Sequence, residues 1–171
     1  MPKGVYFSKI MSMTGFTGIF FPFSGETYIN THQPDWCIPD TIAHEIAHQR
    51  GVHLEAEANF TGIAACIQSD DVTYQYSGYA SGLIHLMNAL YKADPDAWKS
   101  LRSTFTPQLE ADWTENSRYW QEMDGTATKV SNKVYDTFLK VNTQPLGLKS
   151  YGACVDILVT WLNTSEYSPM N

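Results

Sequence analysis

The stretch His44-Glu45-Ile46-Ala47-His48 constrains this chain more than any other five residues, because it pairs two histidines at the spacing of one helical turn. An α-helix advances about 3.6 residues per turn, so both imidazoles lie on one face, one above the other. Two imidazoles so placed can reach one zinc ion, and Glu45 beside them can take a proton from a metal-bound water. The flanks agree with a helix: Pro39 suits a first-turn position, Asp40 and Thr41 can satisfy first-turn amides, and Gly51 is a natural stop. The bland alternative is a surface helix carrying two ordinary histidines.

The residues that follow weigh against that alternative. Leu54-Glu55-Ala56-Glu57-Ala58-Asn59-Phe60 opens a second helix whose first turn is acidic, as the helix dipole favours. On it Glu55, Ala58, Asn59 and Gly62 share a face, and the small residues among them let two helix backbones approach. Glu55 can then supply the third ligand, and Asn59 can hydrogen-bond one of the ligands from behind. Glu57 points roughly away from this face and ranks second.

A Glu-x-x-Ala-Asn arrangement after a His-Glu-x-x-His helix resembles the gluzincin metallopeptidases, whose third ligand opens a Glu-x-x-Ala-Asp/Asn motif. More closely, the chain resembles a bacterial family of uncharacterised zincin-like domains attached to membrane segments. The matching stretches are GFTGIFFPFSGETYIN, IAHEIAHQRG, EAEANF, YSGY, NALYKADP, VSNKVYDTFLK and SYGACVDIL, spread over nearly the whole chain. The metzincin pattern offers a rival ligand set, since His48-x-x-Gly51 also begins it. There the third histidine would fall at Leu54, whereas the histidine stands one residue earlier, at His53. Glu55 is the preferred third ligand, with Glu57 and His53 as alternatives.

A chain of 171 residues with 43% apolar side chains can bury the core of one globular domain. With 11 basic and 18 acidic residues, net charge −7, it lacks the basic surface that nucleic-acid binding needs. No stretch approaches the roughly 20 apolar residues of a spanning helix. The resemblance nevertheless implies a membrane tether in a full-length protein, through segments preceding residue 1, with this part a soluble domain; membrane side and oligomeric state are open. Cys37, Cys66 and Cys154 imply no disulfide framework, and Cys66 reads as a small buried hydrophobe.

The expected fold is mainly α (α+β), a zincin-like helical domain over 1–171 with a small N-terminal β-hairpin beside the metal-binding helix. Residues 1–38 form the hairpin region, 39–68 the metal-binding helices, 72–163 a helical bundle and 164–171 a tail. Strands are expected at 5–7, 18–23 and 26–30, the last two joined at Ser24-Gly25, and Pro22 marks an edge strand. An edge strand beside a metal helix can hold an extended peptide by strand addition. Helices are expected at 77–92, from Pro95, from Pro107, at 127–141 and at 148–163, with aromatic stripes packed as core. His85 reads as an ordinary histidine of the first of these.

The chemistry that follows is zinc-dependent hydrolysis of peptide or protein substrates. One Zn2+ per chain is held by His44, His48 and Glu55, with Glu45 as general base. Tyr76, Tyr79 and Tyr151 are candidate oxyanion donors, against a packing role for each. Arg50 reads as a neutralising or capping residue rather than a substrate contact. A catalytically silent zinc-binding regulatory or interaction domain is the alternative, and a metal-free helical domain a third reading.

Overall fold

The computed structural model describes residues 2–141 and 151–164, without the side chains of 138–140 and 151. Among the described residues the protein is mainly helical, with three short N-terminal strands. The order is β1 (Lys3–Gly4), α1 (Ser8–Met13), β2 (Gly18–Phe21), β3 (Glu26–Ile29), α2 (Ile38–Gln49), α3 (Glu55–Ile67), α4 (Val72–Ala93), α5 (Pro95–Arg102), α6 (Pro107–Met123), α7 (Thr126–Val141) and α8 (Tyr151–Leu162).

The expected strand at 5–7 is absent. The sheet pairs Lys3 and Gly4 with Tyr28 and Ile29 instead, in parallel, and the chain then turns into α1. Val5-Tyr6-Phe7 has the composition of a strand, but Tyr6 and Phe7 stand out in solvent. What holds α1 is polar: Ser8 and Ser12 are buried, with Ser8 bonded to the Val5 carbonyl and Ser12 accepting from Asn30 at 3.0 Å.

The hairpin of β2 and β3 forms as expected, antiparallel, with Gly18 opposite Ile29 and Phe21 opposite Glu26. The strand order β1-β3-β2 leaves β2 at an edge, and Pro22 falls just past its end, where a missing amide breaks no ladder bond. Asn30 N–H donates to the Thr17 carbonyl (2.9 Å). Antiparallel pairs alternate, so Gly18 and Phe20 turn their amides outward, away from β3. Helix α2 packs across β2 and β3.

The core lies on the other side, where α3 is pressed between neighbours. Ile63 and Ile67 of α3 meet Cys154 and Leu158 of α8, with Phe60 edge-on to Trp161 at 5.8 Å. Two glycines set how close the helices come. A Cβ at Gly62 would lie 3.0 Å from the His44 amide nitrogen on α2, and one at Gly78 would lie 2.9 Å from the Ile63 carbonyl on α3. Helix α4 begins five residues before the expected 77, because the Asp71 side chain caps it by accepting from Thr73 N–H at 2.7 Å. Pro95 and Pro107 do open α5 and α6, each behind a capping side chain, Asp94 and Thr106.

The aromatic stripes of α5 and α6 do not form a core, since neither helix buries a residue. Trp98 and Trp113 instead flank Arg102, whose guanidinium lies 5.0 and 5.5 Å from their ring centres and forks onto Glu110. A planar, weakly hydrated cation suits such a half-exposed sandwich. The expected helix start at 148 lies outside the described residues.

Candidate metal centre

His44 and His48 project from one face of α2, their rings edge-on with centroids 4.6 Å apart and their Nε2 atoms 3.1 Å apart. Arg50 and Gly51 end the helix, Gly51 at φ 97°, a conformation costly for any side chain bearing a Cβ. The reversed chain enters α3 at Glu55, whose carboxylate turns back on the histidines. Glu55 Oε2 lies 3.5 Å from His44 Nε2, and Oε1 lies 3.6 Å from His48 Nε2. Metal–ligand bonds of about 2.0–2.1 Å in a tetrahedral site separate neighbouring ligand atoms by roughly 3.3–3.4 Å. The three side chains therefore already stand at ligand spacing, and they are the one such group among the described residues that could hold a metal ion.

The surroundings fix each ligand's orientation. His48 Nδ1–H donates to the Val52 carbonyl at 2.7 Å, which leaves the Nε2 lone pair facing the other ligands. Asn59, one turn beyond Glu55, hydrogen-bonds His44. Tyr135 of α7 donates its hydroxyl proton to Glu55 Oε1 at 2.7 Å, and its ring stands edge-on to Phe16 at 5.2 Å.

The electrostatics favour a neutral His44 beside an ionised Glu55. Burial, helped by the neighbouring His48, pushes the His44 pKa down to about 4. Burial acts against the charge of His48 too, but the hydrogen bond and charge of Glu55 outweigh it and raise that pKa. Glu55 is likewise opposed by burial and held below the usual range by its bonds to His48 and Tyr135. Without a metal, the carboxylate of Glu55 is what favours charge on His48.

Glu45 points to the opposite side of α2 from solvent, only 4% exposed, against the edge strand. Its carboxylate accepts the outward amide of Phe20, and burial raises its pKa to about 7. A Cβ at Gly18 would lie 2.6 Å from Glu45 Cγ and 2.7 Å from Oε1, so only glycine admits the carboxylate there.

The other candidates are placed elsewhere. Glu57 and His53 are exposed and stand outside the group of ligand atoms. Tyr76 bonds Asp112 of α6 and packs near Trp36. Tyr151 opens α8, but its side chain is outside the described residues. Tyr79 is 44% exposed, and Arg50 is exposed at the helix end. His85 is half-buried and near enough to His44 to oppose its protonation, though it is not one of the three. Cys66 is buried, its thiol pushed up to about 12 by burial, as befits a core residue. Asp40 and Thr41 do not cap α2. Thr41 donates to Gln33, and Asp40 Oδ1 is sealed from solvent with no partner among the described residues.

Sequence reasoning passed over Tyr135, which stands 80 residues from Glu55 with no periodic relation to it. It also passed over Gly18, for which a signal existed: a glycine inside a strand pattern marks a close approach.

The chain belongs to the family described as a protein of unknown function, DUF3810, whose model matches residues 1–159. No curated protein and no solved structure matches it. The family description assigns no chemistry.

Proposed function

We propose that this domain is a zinc-dependent metallopeptidase, with His44, His48 and Glu55 as metal ligands and Glu45 as general base. The observation that carries the reading is the position of Glu45, between a ligand-spaced trio and the outward amides of an edge strand. Two imidazoles and one carboxylate form a donor set typical of catalytic zinc. Zinc bound there would lower the pKa of a water toward about 7 and polarise a scissile carbonyl.

The protein's own groups supply the rest. An extended peptide laid against β2 would pair with the amides of Gly18 and Phe20, bringing its backbone alongside α2. Pairing at Phe20 frees Glu45 to accept the attacking water's proton and later pass it to the leaving amine. Attachment to a membrane in a longer protein rests on the resemblance; no helix among the described residues is long and apolar enough to cross one.

The test is elemental analysis followed by a peptide-library screen. Near one zinc per chain, lost in His44→Ala and Glu55→Ala, with cleavage abolished by Glu45→Gln while zinc stays bound, is the expected result. Stoichiometric zinc with no cleavage of any peptide would leave a silent metal-binding domain, and no zinc uptake would end the reading.

A further inference from the structure

The two oxygens of Glu55 stand almost equally placed toward α2. Oε2 is 3.5 Å from His44 Nε2 and Oε1 is 3.6 Å from His48 Nε2, so neither histidine selects which oxygen meets a metal. A carboxylate so balanced could bind through one oxygen or straddle the ion with both. The difference matters chemically, because two imidazoles and a straddling carboxylate already make four contacts. A site that activates water must keep a position free.

The asymmetry comes from a third element. The Tyr135 hydroxyl sits 2.7 Å from Oε1, donating to it. Its ring is set by the edge-on contact with Phe16, at 5.2 Å and 83°. The start of α7 is tied down as well, by the Thr128 hydroxyl bonding the Met13 carbonyl at 2.8 Å. Thr128 and Asn132 also close on Gly15, where a Cβ would lie 3.3 and 3.5 Å from their side chains. The phenol ring is therefore braced from the 13–16 segment, which lies outside α2 and α3.

We propose that Tyr135 is a positioning residue for the metal site: by holding Oε1 of Glu55 it leaves Oε2 as the single donor oxygen and keeps the fourth position open. The proposal rests on the metal-binding reading above but not on peptidase activity. It places a residue from the C-terminal half of the chain, in α7, among those that define the site.

Tyr135→Phe is the direct test, since it removes the hydroxyl and keeps the ring against Phe16. Cobalt(II) is the probe, because its visible absorption is strong at four-coordinate sites and weak at five- or six-coordinate ones. Wild-type protein should give the strong spectrum and the variant a weaker one. Zinc affinity, measured by chelator competition, should fall about 10–100-fold in the variant. An unchanged spectrum with unchanged affinity overturns the proposal while leaving the metal site standing. X-ray absorption of the zinc-loaded wild type reads the same point without any variant. One carboxylate oxygen at about 2.0–2.2 Å supports the role, and two oxygens at longer distance overturn it. If the wild type binds neither metal, the metal reading fails and this assignment fails with it.

Discussion

Replacing Asp40 with asparagine should make the protein more resistant to unfolding as the pH is raised, and the size of the effect follows from where the carboxylate lies. Asp40 is in the first turn of α2, where its charge would ordinarily be favoured by the helix dipole. Here its Oδ1 is sealed from solvent without a partner among the described residues, and Gly62 of the neighbouring helix closes over it. Burial raises its pKa from 3.8 to about 7, with only a Ser81 hydrogen bond acting the other way. A carboxyl whose folded pKa is raised binds its proton more tightly folded than unfolded. Its ionisation therefore costs stability progressively from about pH 4 to about pH 7, and the cost is complete above that. At about 1.4 kcal/mol per pH unit the full cost is about 4 kcal/mol, or about 2–4 kcal/mol once relaxation around the charge is allowed for. Urea unfolding of metal-free wild type and Asp40→Asn at about pH 3.5 and about pH 8, which bracket this range, gives the decisive double difference. The asparagine's own packing cost and the titration of His44, His48 and Glu45 are common to both comparisons and cancel. The stability difference should move by about 2–4 kcal/mol in favour of asparagine between the two pH values. Parallel pH dependences in the two proteins would refute the argument.

Gly18→Ala should disable turnover while leaving zinc content unchanged, because its new Cβ would lie 2.6 Å from Glu45 Cγ and push the base out of place without touching a ligand. Thermal unfolding should also show a cost of about 1–3 kcal/mol, the range for overpacking; full activity in this variant would separate Glu45 from the chemistry. Metal uptake should release protons, since the raised pKa of His48 rests on its bond to Glu55 and a cation replaces that proton. Zinc affinity should accordingly rise with pH until His48 is neutral and level off above. Titration calorimetry in two buffers of different ionisation enthalpy measures the release, and equal heats in both would contradict it.

The parts of the fold that were legible in the sequence are those specified by neighbours along the chain. Pro39, Pro95 and Pro107 each stand in the first turn of a helix, and the hairpin turns at Ser24-Gly25. Helix α1 was not legible, because its six residues carry no cap or apolar period and are held by Ser8 and Ser12 reaching the 30–31 segment. The burial of the α5 and α6 aromatics was misjudged for a related reason. Periodicity shows that tryptophans share a face but not whether another layer covers it, and here Arg102 fills the gap.

The candidate site divides the same way. His44, His48, Glu55 and Asn59 were readable because two adjacent helices bring them together, and helical spacing fixes which faces can meet. Gly62 then lets those faces close to ligand distance, its absent side chain leaving 3.0 Å to the His44 amide nitrogen. Tyr135 meets Glu55 from 80 residues downstream and Gly18 meets Glu45 from 27 residues upstream, where no local period connects them. On the proposed reading, these two touch the groups whose chemistry is most sensitive to position, Glu55 as third ligand and Glu45 as base. The local pair of helices defines which atoms can meet a metal, while the hairpin brings Gly18 against Glu45 and α7 brings Tyr135 against Glu55.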